Sequence, residues 1–265
     1  MLKVEDVHIT FEAGTPIEKH ALQGVSLSLE QGDYVTIIGG NGAGKSTFLN
    51  TTAGTLFPTM GKITVDGVDV TYMPEYKRAR YFGRVFQNPR AGTATDMFIE
   101  ENLALAYRRG KRRSMFRWHI SSKERSFFRE RLATLGLGLE NRLTDKVGLL
   151  SGGQRQALSL LMATLIEPRV LLLDEHTAAL DPKTAIIVLE LTNKLVQEHN
   201  LTTLMVTHNM RDALTHGNRI MMMHKGRIIL DVKGEEKANL TVADLMKMFE
   251  TASGEEMLSD RMLLT

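Results

Sequence analysis

Gly39-Gly40-Asn41-Gly42-Ala43-Gly44-Lys45-Ser46 follows the pattern G-x-x-x-x-G-K-[ST]. Glycines at this spacing let a loop curl until successive backbone N–H groups point inward, which suits phosphate oxygens. A helix starting directly after such a loop turns its positive end to the same anion. The lysine then reaches the β- and γ-phosphates, and the next hydroxyl holds Mg²⁺. A glycine-rich turn before a helix is the plainer alternative. The context favours the cradle, because the run sits between a buried strand and a helix pattern. Gly39 to Thr47 therefore form the candidate nucleotide-binding stretch, with Lys45 on the outer phosphates and Ser46 on the metal.

Val170-Leu171-Leu172-Leu173-Asp174-Glu175 is an apolar strand that ends in two carboxylates. Beside a phosphate cradle, Asp174 would hold Mg²⁺, usually through water. Glu175 would orient or deprotonate the water that attacks the γ-phosphate. Alone, such a pair is as readily a solvated strand end. Guanine selectivity has no support, because Asn193-Lys194-Leu195-Val196 lacks the aspartate of an Asn-Lys-x-Asp pattern. Stacking of the base on an aromatic ring is less selective, and Phe11 is the candidate.

Leu150-Ser151-Gly152-Gly153-Gln154-Arg155-Gln156 carries a third pattern. Ser151 with Gln154 three residues on makes a capping box. A capped helix start with two glycines is also an anion site, so the two readings coexist. Asp181-Pro182 likewise reads as an N-cap followed by proline at the first helical position.

The elements that must position these residues show as patterns of apolar spacing. Leu2, Val4, Val7, Ile9 and Phe11 alternate roughly, and Val25, Leu27 and Leu29 alternate strictly with Ser26 and Ser28, so residues 2–38 read as strands. Tyr34 to Ile38 is nearly continuous, as in a strand covered on both faces. A further strand is expected at Lys62–Val65, closed by Asp66-Gly67. Strand-sized runs return at Val170–Leu173, Thr203–Val206 and Ile220–Met223, separated by helical pattern, which indicates a largely parallel α/β sheet. From about residue 96 to 166 the strand signal fades, and Ser121 with Glu124 has capping-box spacing, so this stretch reads as an inserted helical lobe. Residues 241–250 read as a short amphipathic helix, with a loose end beyond Ala252.

The chain has 265 residues, of which 43% are hydrophobic and 24% charged, a balance that argues against disorder. Basic residues number 33 and acidic ones 31, for a net charge of +2, so the whole chain is no polyelectrolyte for nucleic acid. Cysteine is absent, which excludes disulfides, zinc–thiolate sites, iron–sulfur clusters and thiol nucleophiles. No run approaches the ~18 apolar residues of a membrane span, and Met1-Leu2-Lys3-Val4-Glu5-Asp6 lacks the apolar core of a secretion signal. The expectation is a soluble, cytoplasmic chain whose membrane role comes through a partner.

The stretch around Ser151 resembles the signature of the ABC-type ATPases, and other motifs of that family follow in order. Gln87, in Val85-Phe86-Gln87-Asn88-Pro89, resembles the Q-loop; Ala179-Leu180-Asp181 resembles the D-loop; Thr207-His208 resembles the switch histidine. The resemblance covers nearly the whole chain. It implies an α/β P-loop NTPase with a mainly parallel core sheet, an N-terminal antiparallel β subdomain and an inserted α-helical subdomain at about 90–166. The ATPase domain would span 1–250, with a C-terminal tail at 251–265. The implied cofactors are ATP and Mg²⁺, with Gln87 as a metal ligand and link between lobes, His208 on the γ-phosphate and Asp181 at a dimer seam. Two identical copies would face head to tail, sandwiching ATP between Lys45 of one and Ser151, Gly152, Gly153 and Gln154 of the other. Three positions depart from the commonest pattern: Gly40 and His176 stand where proline is usual, and Ala179 where serine is frequent.

The same resemblance implies an ATPase subunit of a bacterial importer. It would sit on the cytoplasmic face of the membrane, bound to separate integral permease subunits and served by an extracytoplasmic binding protein. Residues Asp174 to Asp181 and Thr207 to Asp212 resemble ATPases of amino-acid-type uptake systems, with an aromatic amino acid as the expected cargo. Arg90 to Met97 are expected to receive a permease helix. The alternative is a soluble, non-transport ATPase of the cluster-assembly kind. The basic run Arg108-Arg109-Gly110-Lys111-Arg112-Arg113 reads first as a solvated loop, and second as a contact for anionic lipid or an acidic partner.

Overall fold

The alternating N-terminal residues form β1 (Leu2–Phe11) and β2 (Lys19–Leu29), and the continuous apolar run forms β3 (Tyr34–Ile38). The computed structural model describes residues 1–110 and 119–253. After β3 come α1 (Lys45–Ala53), β4 (Met60–Val65), β5 (Val68–Asp69), α2 (Glu75–Arg78), β6 (Phe82–Val85), α3 (Ile99–Tyr107), α4 (Ser122–Ala133), α5 (Gly152–Thr164), β7 (Val170–Asp174) and α6 (Pro182–Glu198). The chain continues through β8 (Thr202–Val206), α7 (Met210–Thr215), β9 (Arg219–His224), β10 (Arg227–Lys233), α8 (Glu235–Ala238) and α9 (Val242–Ser253). Two compact units result. One holds Met1–Arg78 and the chain from Asn200 on; the other holds Ala79–His199.

In the first unit, an antiparallel sheet has the order β2-β1-β4-β5. Val4 lies between Leu27 on one side and Ile63 on the other. Leu2, Val4, Val7 and Ile9 are all buried, so one face of β1 is apolar, as its alternation requires. Asp66 and Gly67 both have positive φ, 50° and 77°, the geometry of a two-residue hairpin turn. In the same unit β3 pairs in parallel with both β8 and β9, and β10 returns antiparallel to β9. All five residues of β3 and all five of β8 are buried, which explains their lack of polar alternation.

In the second unit β6 pairs in parallel with β7, Arg84 standing opposite Leu172. The stretch expected to be helical holds α3, α4 and α5. Their core is Ile99, Leu103, Phe128, Leu132, Leu158 and neighbouring buried residues. The capping box at α4 is present: Glu124 N donates to Ser121 Oγ at 3.2 Å, and Ser121 N donates to Glu124 Oε2 at 2.9 Å. Parallel central strands, an antiparallel N-terminal sheet and a helical segment make the α/β fold that the sequence implied. Strands β6 and β10 have no counterpart in the apolar pattern. The first carries Gly83 and Arg84 and the second Arg227 and Asp231, which break the run.

Candidate functional site

The cradle joins β3 to α1, and its backbone is one that only glycine fits at key points. Gly39 has φ +150°, and a Cβ there would lie 2.2 Å from the Met223 carbonyl oxygen; Gly44 has φ +102°, and a Cβ there would lie 2.8 Å from that of Ala21. Gly44 is the N-cap of α1, and no side chain caps that end, so the helix start presents its N–H groups and positive dipole to an anion. The Lys45 ammonium is buried and donates to the carbonyls of Gly39 at 2.7 Å and Gly40 at 3.2 Å, so the loop wraps its own lysine. Ser46 is exposed and Thr47 half-buried, while Asn41 and Gly42 stand at the exposed tip. A Cβ on Gly40 would meet open space, so packing does not dictate the departure there. Ala43 is buried and its carbonyl accepts from Gly226 N at 2.9 Å.

The far end of α1 is anchored by Arg78, which is fully buried. Its guanidinium donates to the carbonyls of Thr51 (2.7 Å), Thr52 (2.8 Å), Thr71 (2.7 Å) and Met73 (2.8 Å). Thr51 and Thr52 belong to the last turn of α1, where a cation is favoured; the Thr51 carbonyl also accepts from the cap residue Gly54 N at 3.2 Å. Burial pulls the Arg78 pKa down to about 10, with the nearby Asp69 charge opposing.

Elsewhere in the same unit, Phe11 ends β1 and is 38% exposed. Thr207 N donates to the Ile37 carbonyl at 3.1 Å, which ties the residue before His208 to the strand that feeds the cradle. His208 is half-buried. Asn209 caps α7, accepting from Arg211 N at 2.8 Å and Asp212 N at 3.2 Å. Burial raises the Asp212 pKa, with His216 and His208 opposing.

In the second unit, Asp174 ends β7 and Glu175 follows with φ +43°, a left-handed conformation uncommon for a glutamate. Gln87 Nε2 donates to Glu175 Oε2 at 3.2 Å. Oxygen donors from one carboxylate and one amide suit Mg²⁺, which takes few protein ligands and relies on phosphates and water for the rest. Among the described residues no cluster of three or more His, Cys, Asp or Glu could hold a metal ion. His176 is buried, its Nε2 3.0 Å from Thr192 Oγ1 on α6. The Thr192 hydroxyl donates to the Val188 carbonyl at 2.7 Å, so the imidazole Nε2 supplies the proton of this bond. The histidine thereby fastens the segment after Glu175 to α6.

Ser151 caps α5. Gln154 N donates to Ser151 Oγ at 3.2 Å and Ser151 N donates to Gln154 Oε1 at 3.2 Å, which is the expected box. Arg155, buried, donates to the carbonyls of Val147, Gly148 and Leu150, so the turn before the cap is clamped from inside. A Cβ on Gly153 would lie 2.0 Å from Thr184 Cγ2, so the second glycine lets α5 approach the start of α6. A Cβ on Gly152 would meet only Leu180, at an ordinary 3.4 Å. Asp181 caps α6, accepting from Thr184 N at 3.1 Å. The Thr184 side chain and backbone hydrogen bonds hold the Asp181 carboxyl below the usual range.

The structure thus groups the cradle, Phe11 and His208 in one unit, and Gln87, Asp174, Glu175, Ser151 to Gln154 and Asp181 in the other. Sequence reasoning did not single out Arg78, Arg84, Arg155 or the Thr192 partner of His176. Arg84 sits inside the apolar run Phe82 to Phe86, which is the signal that could have found it; Arg78 stands beside Lys77 and Arg155 between Gln154 and Gln156, where no local signal marks them. Of the basic run, Arg108 pairs with Glu124 at 3.0 Å, and Arg109 donates to the carbonyls of Ala163 (3.1 Å) and Ile166 (3.2 Å). Both serve the helical core. Lys111, Arg112 and Arg113 lie outside the described residues, as does most of the tail at 251–265.

The sequence matches the ABC transporter family model over residues 22–178. It is 45% identical over 252 residues to the tyrosine transport ATP-binding protein of Clostridioides difficile (strain R20291), covering 95% of this chain and 100% of that one. It is 35% identical over 242 residues to the energy-coupling factor transporter ATP-binding protein EcfA2 of Clostridium acetobutylicum, covering 90% of this chain and 81% of that one. Among solved structures, an ATP-binding cassette dimer in a post-hydrolysis state with ADP and Pi is similar at TM-score 0.72 and 30% identity, over 88% of this chain and 98% of that one. A second cassette of an ABC transporter, in its ADP conformation, is similar at TM-score 0.76 and 27% identity, over 96% and 99%.

Proposed function

Because the chain belongs to the ABC transporter family and is a transporter's ATP-binding, ATP-hydrolysing subunit, we propose that it powers uptake of an aromatic amino acid, tyrosine first. The observation that carries this cargo is the 45% identity to a tyrosine transport ATP-binding protein along that protein's whole length. Residues 1–250 act as one ATPase domain, with the helical subdomain at about 90–166. Its partners are a second copy of the chain, integral permease subunits that receive the Arg90–Met97 segment, and an extracytoplasmic binding protein. It works at the cytoplasmic face of the membrane, held there by the permease. No helix among the described residues is long and apolar enough to cross a membrane.

In this reading Lys45 and the N–H groups at the start of α1 hold the phosphates, and Phe11 stacks on the base. Ser46, Asp174 and Gln87 would hold Mg²⁺, which when bound neutralises phosphate charge. Glu175 takes a proton from the attacking water, and His208 contacts the γ-phosphate. Ser151 to Gln154 of the opposing copy close the site, with Asp181 at the seam. Loss of the γ-phosphate removes what both copies grip, and the pair opens, a ligand-biased two-state change.

A second reading is favoured by the 35% identity to an energy-coupling factor transporter subunit: an assembly of that type, carrying a different solute. Affinity capture of the tagged chain from its own membranes separates the two. A multi-span permease with an extracytoplasmic binding protein, and tyrosine-stimulated hydrolysis after reconstitution, support the first. A permease complex indifferent to tyrosine supports the second, and capture of soluble partners alone would sink both.

A further inference from the structure

Strand β6 places a cation beside the carboxylate assigned to the metal. Arg84 stands opposite Leu172 in the parallel register, and residues two apart on a strand share a face, so Arg84 and Asp174 lie diagonally on one face of the pair. Arg84 Nη2 is 3.6 Å from Asp174 Oδ2, with the two side chains only 13% and 15% exposed. The guanidinium carbon also lies over the Phe86 ring, 4.5 Å from its centroid, a cation–π contact that helps to hold it. That platform is itself held, because the Phe86 carbonyl accepts from Gln156 Nε2 of α5 at 3.0 Å. An arginine this enclosed is costly unless its charge is matched, and the Asp174 carboxylate lies within ion-pair distance of it.

We infer that Arg84 is a positioning residue that gates the metal site by charge: it holds Asp174 in place across the strand pair, and competes as a cation for that carboxylate. A bare divalent ion at Asp174 meets the guanidinium charge at close range. A divalent ion that arrives with nucleotide meets phosphate charge that offsets it. Metal and nucleotide therefore load together. This rests on reading Asp174 as a metal ligand.

The test uses the full chain and Mn²⁺ alone as an electron-spin-resonance probe, without nucleotide. Arg84→Met keeps length and packing on Phe86 but removes the charge, and it should bind Mn²⁺ about tenfold tighter than the wild type or more, by loss of like-charge repulsion. Arg84→Lys keeps the charge and should stay close to the wild type. With saturating ADP the difference between Met and wild type should shrink. Adding Asp174→Asn to Arg84→Met should abolish the gain. Equal Mn²⁺ affinity in wild type and Arg84→Met overturns the inference and leaves Asp174 as a ligand. A lysine variant that behaves like methionine, or a difference undiminished by ADP, also overturns it. Tight binding that survives Asp174→Asn overturns both the inference and the assignment of Asp174. Where Arg84→Met does not fold, Arg84→Gln, planar and uncharged, carries the same measurement with the same outcomes.

Discussion

Glu175 accepts a hydrogen bond from Gln87 Nε2 at 3.2 Å while its own backbone is held at φ +43°. A non-glycine residue in this region is strained by about 1–3 kcal/mol and persists where its surroundings fix it. The bond to Gln87 and the His176–Thr192 anchor on the next residue are such surroundings. Glu175→Gln keeps the shape and removes the base. Hydrolysis should fall by roughly 10²–10⁴-fold, with ATP still bound and a closed dimer accumulating in light scattering. A strictly monomeric Glu175→Gln protein under ATP would count against the shared-nucleotide scheme.

Lys45 is enclosed by the carbonyls of its own loop at 2.7 and 3.2 Å, so its ammonium is already directed along the cradle before phosphate arrives. Lys45→Ala removes the charge and leaves those carbonyls unserved. ATP hydrolysis should drop to background in a phosphate-release assay. Turnover at the wild-type rate would refute the assignment of the cradle.

The signature glycines are not equivalent. A Cβ at Gly153 would lie 2.0 Å from Thr184 Cγ2, whereas one at Gly152 meets nothing closer than 3.4 Å. Gly153→Ala must turn the Thr184 side chain or push α5 and the start of α6 apart, an overpacking cost of about 1–3 kcal/mol. It should lower both the melting temperature and hydrolysis. Thr184→Ser deletes the offending methyl and should restore both in the double variant. No recovery would mean that the glycine is needed for something other than this approach. Ser151→Arg is the companion test: it should stop hydrolysis while nucleotide still binds the isolated chain.

His176 stands where the family usually has proline, and its role is visible only in three dimensions. The imidazole reaches Thr192 at 3.0 Å from within a buried site. His176→Ala leaves both a gap and an unmet Thr192 acceptor, and should destabilise by about 2–4 kcal/mol. At roughly 2–4 °C per kcal/mol for a domain of this size, a calorimetric melt resolves that change. A double-mutant cycle with Thr192→Val should show coupling of about 1 kcal/mol; strict additivity would say that the bond contributes nothing.

What the sequence disclosed and what it hid divide along a physical line. The cradle, the caps at Ser151 and Asp181 and the box at Ser121–Glu124 are local, set by residues within a few positions of one another, so spacing alone exposes them. The buried strands β3, β7 and β8 show as nearly continuous runs of apolar residues and threonine, without polar alternation, because both faces are covered. Arg84 beside Asp174 is different. It depends on the register of two strands far apart in the chain, which no local pattern encodes. Its charge also broke the apolar run that would have marked β6 as a strand. Arg108 and Arg109 looked like solvated charge because the sequence cannot show the Glu124 carboxylate or the Ala163 and Ile166 carbonyls that receive them.

Arg78 offers the sharpest test of how the cradle is supported from behind. Its guanidinium serves four carbonyls, two of them at the end of α1 and two in the segment that leads into α2. Gly54 makes room for it, since a Cβ there would lie 2.7 Å from Arg78 Cδ. Arg78→Met keeps much of the volume and removes every donor. Several buried acceptors then lose their partners together, so the loss should reach at least ~3 kcal/mol. The melting temperature should fall by roughly 6–12 °C. Arg78→Lys should recover only part, because an ammonium cannot span carbonyls on separate segments as the planar fork does. Nucleotide affinity should weaken in the same order, wild type then lysine then methionine, because the helix that presents the cradle loosens at its far end. A methionine variant that melts with the wild type would show that α1 is held by its apolar face, Phe48 and Leu49, and not by this arginine.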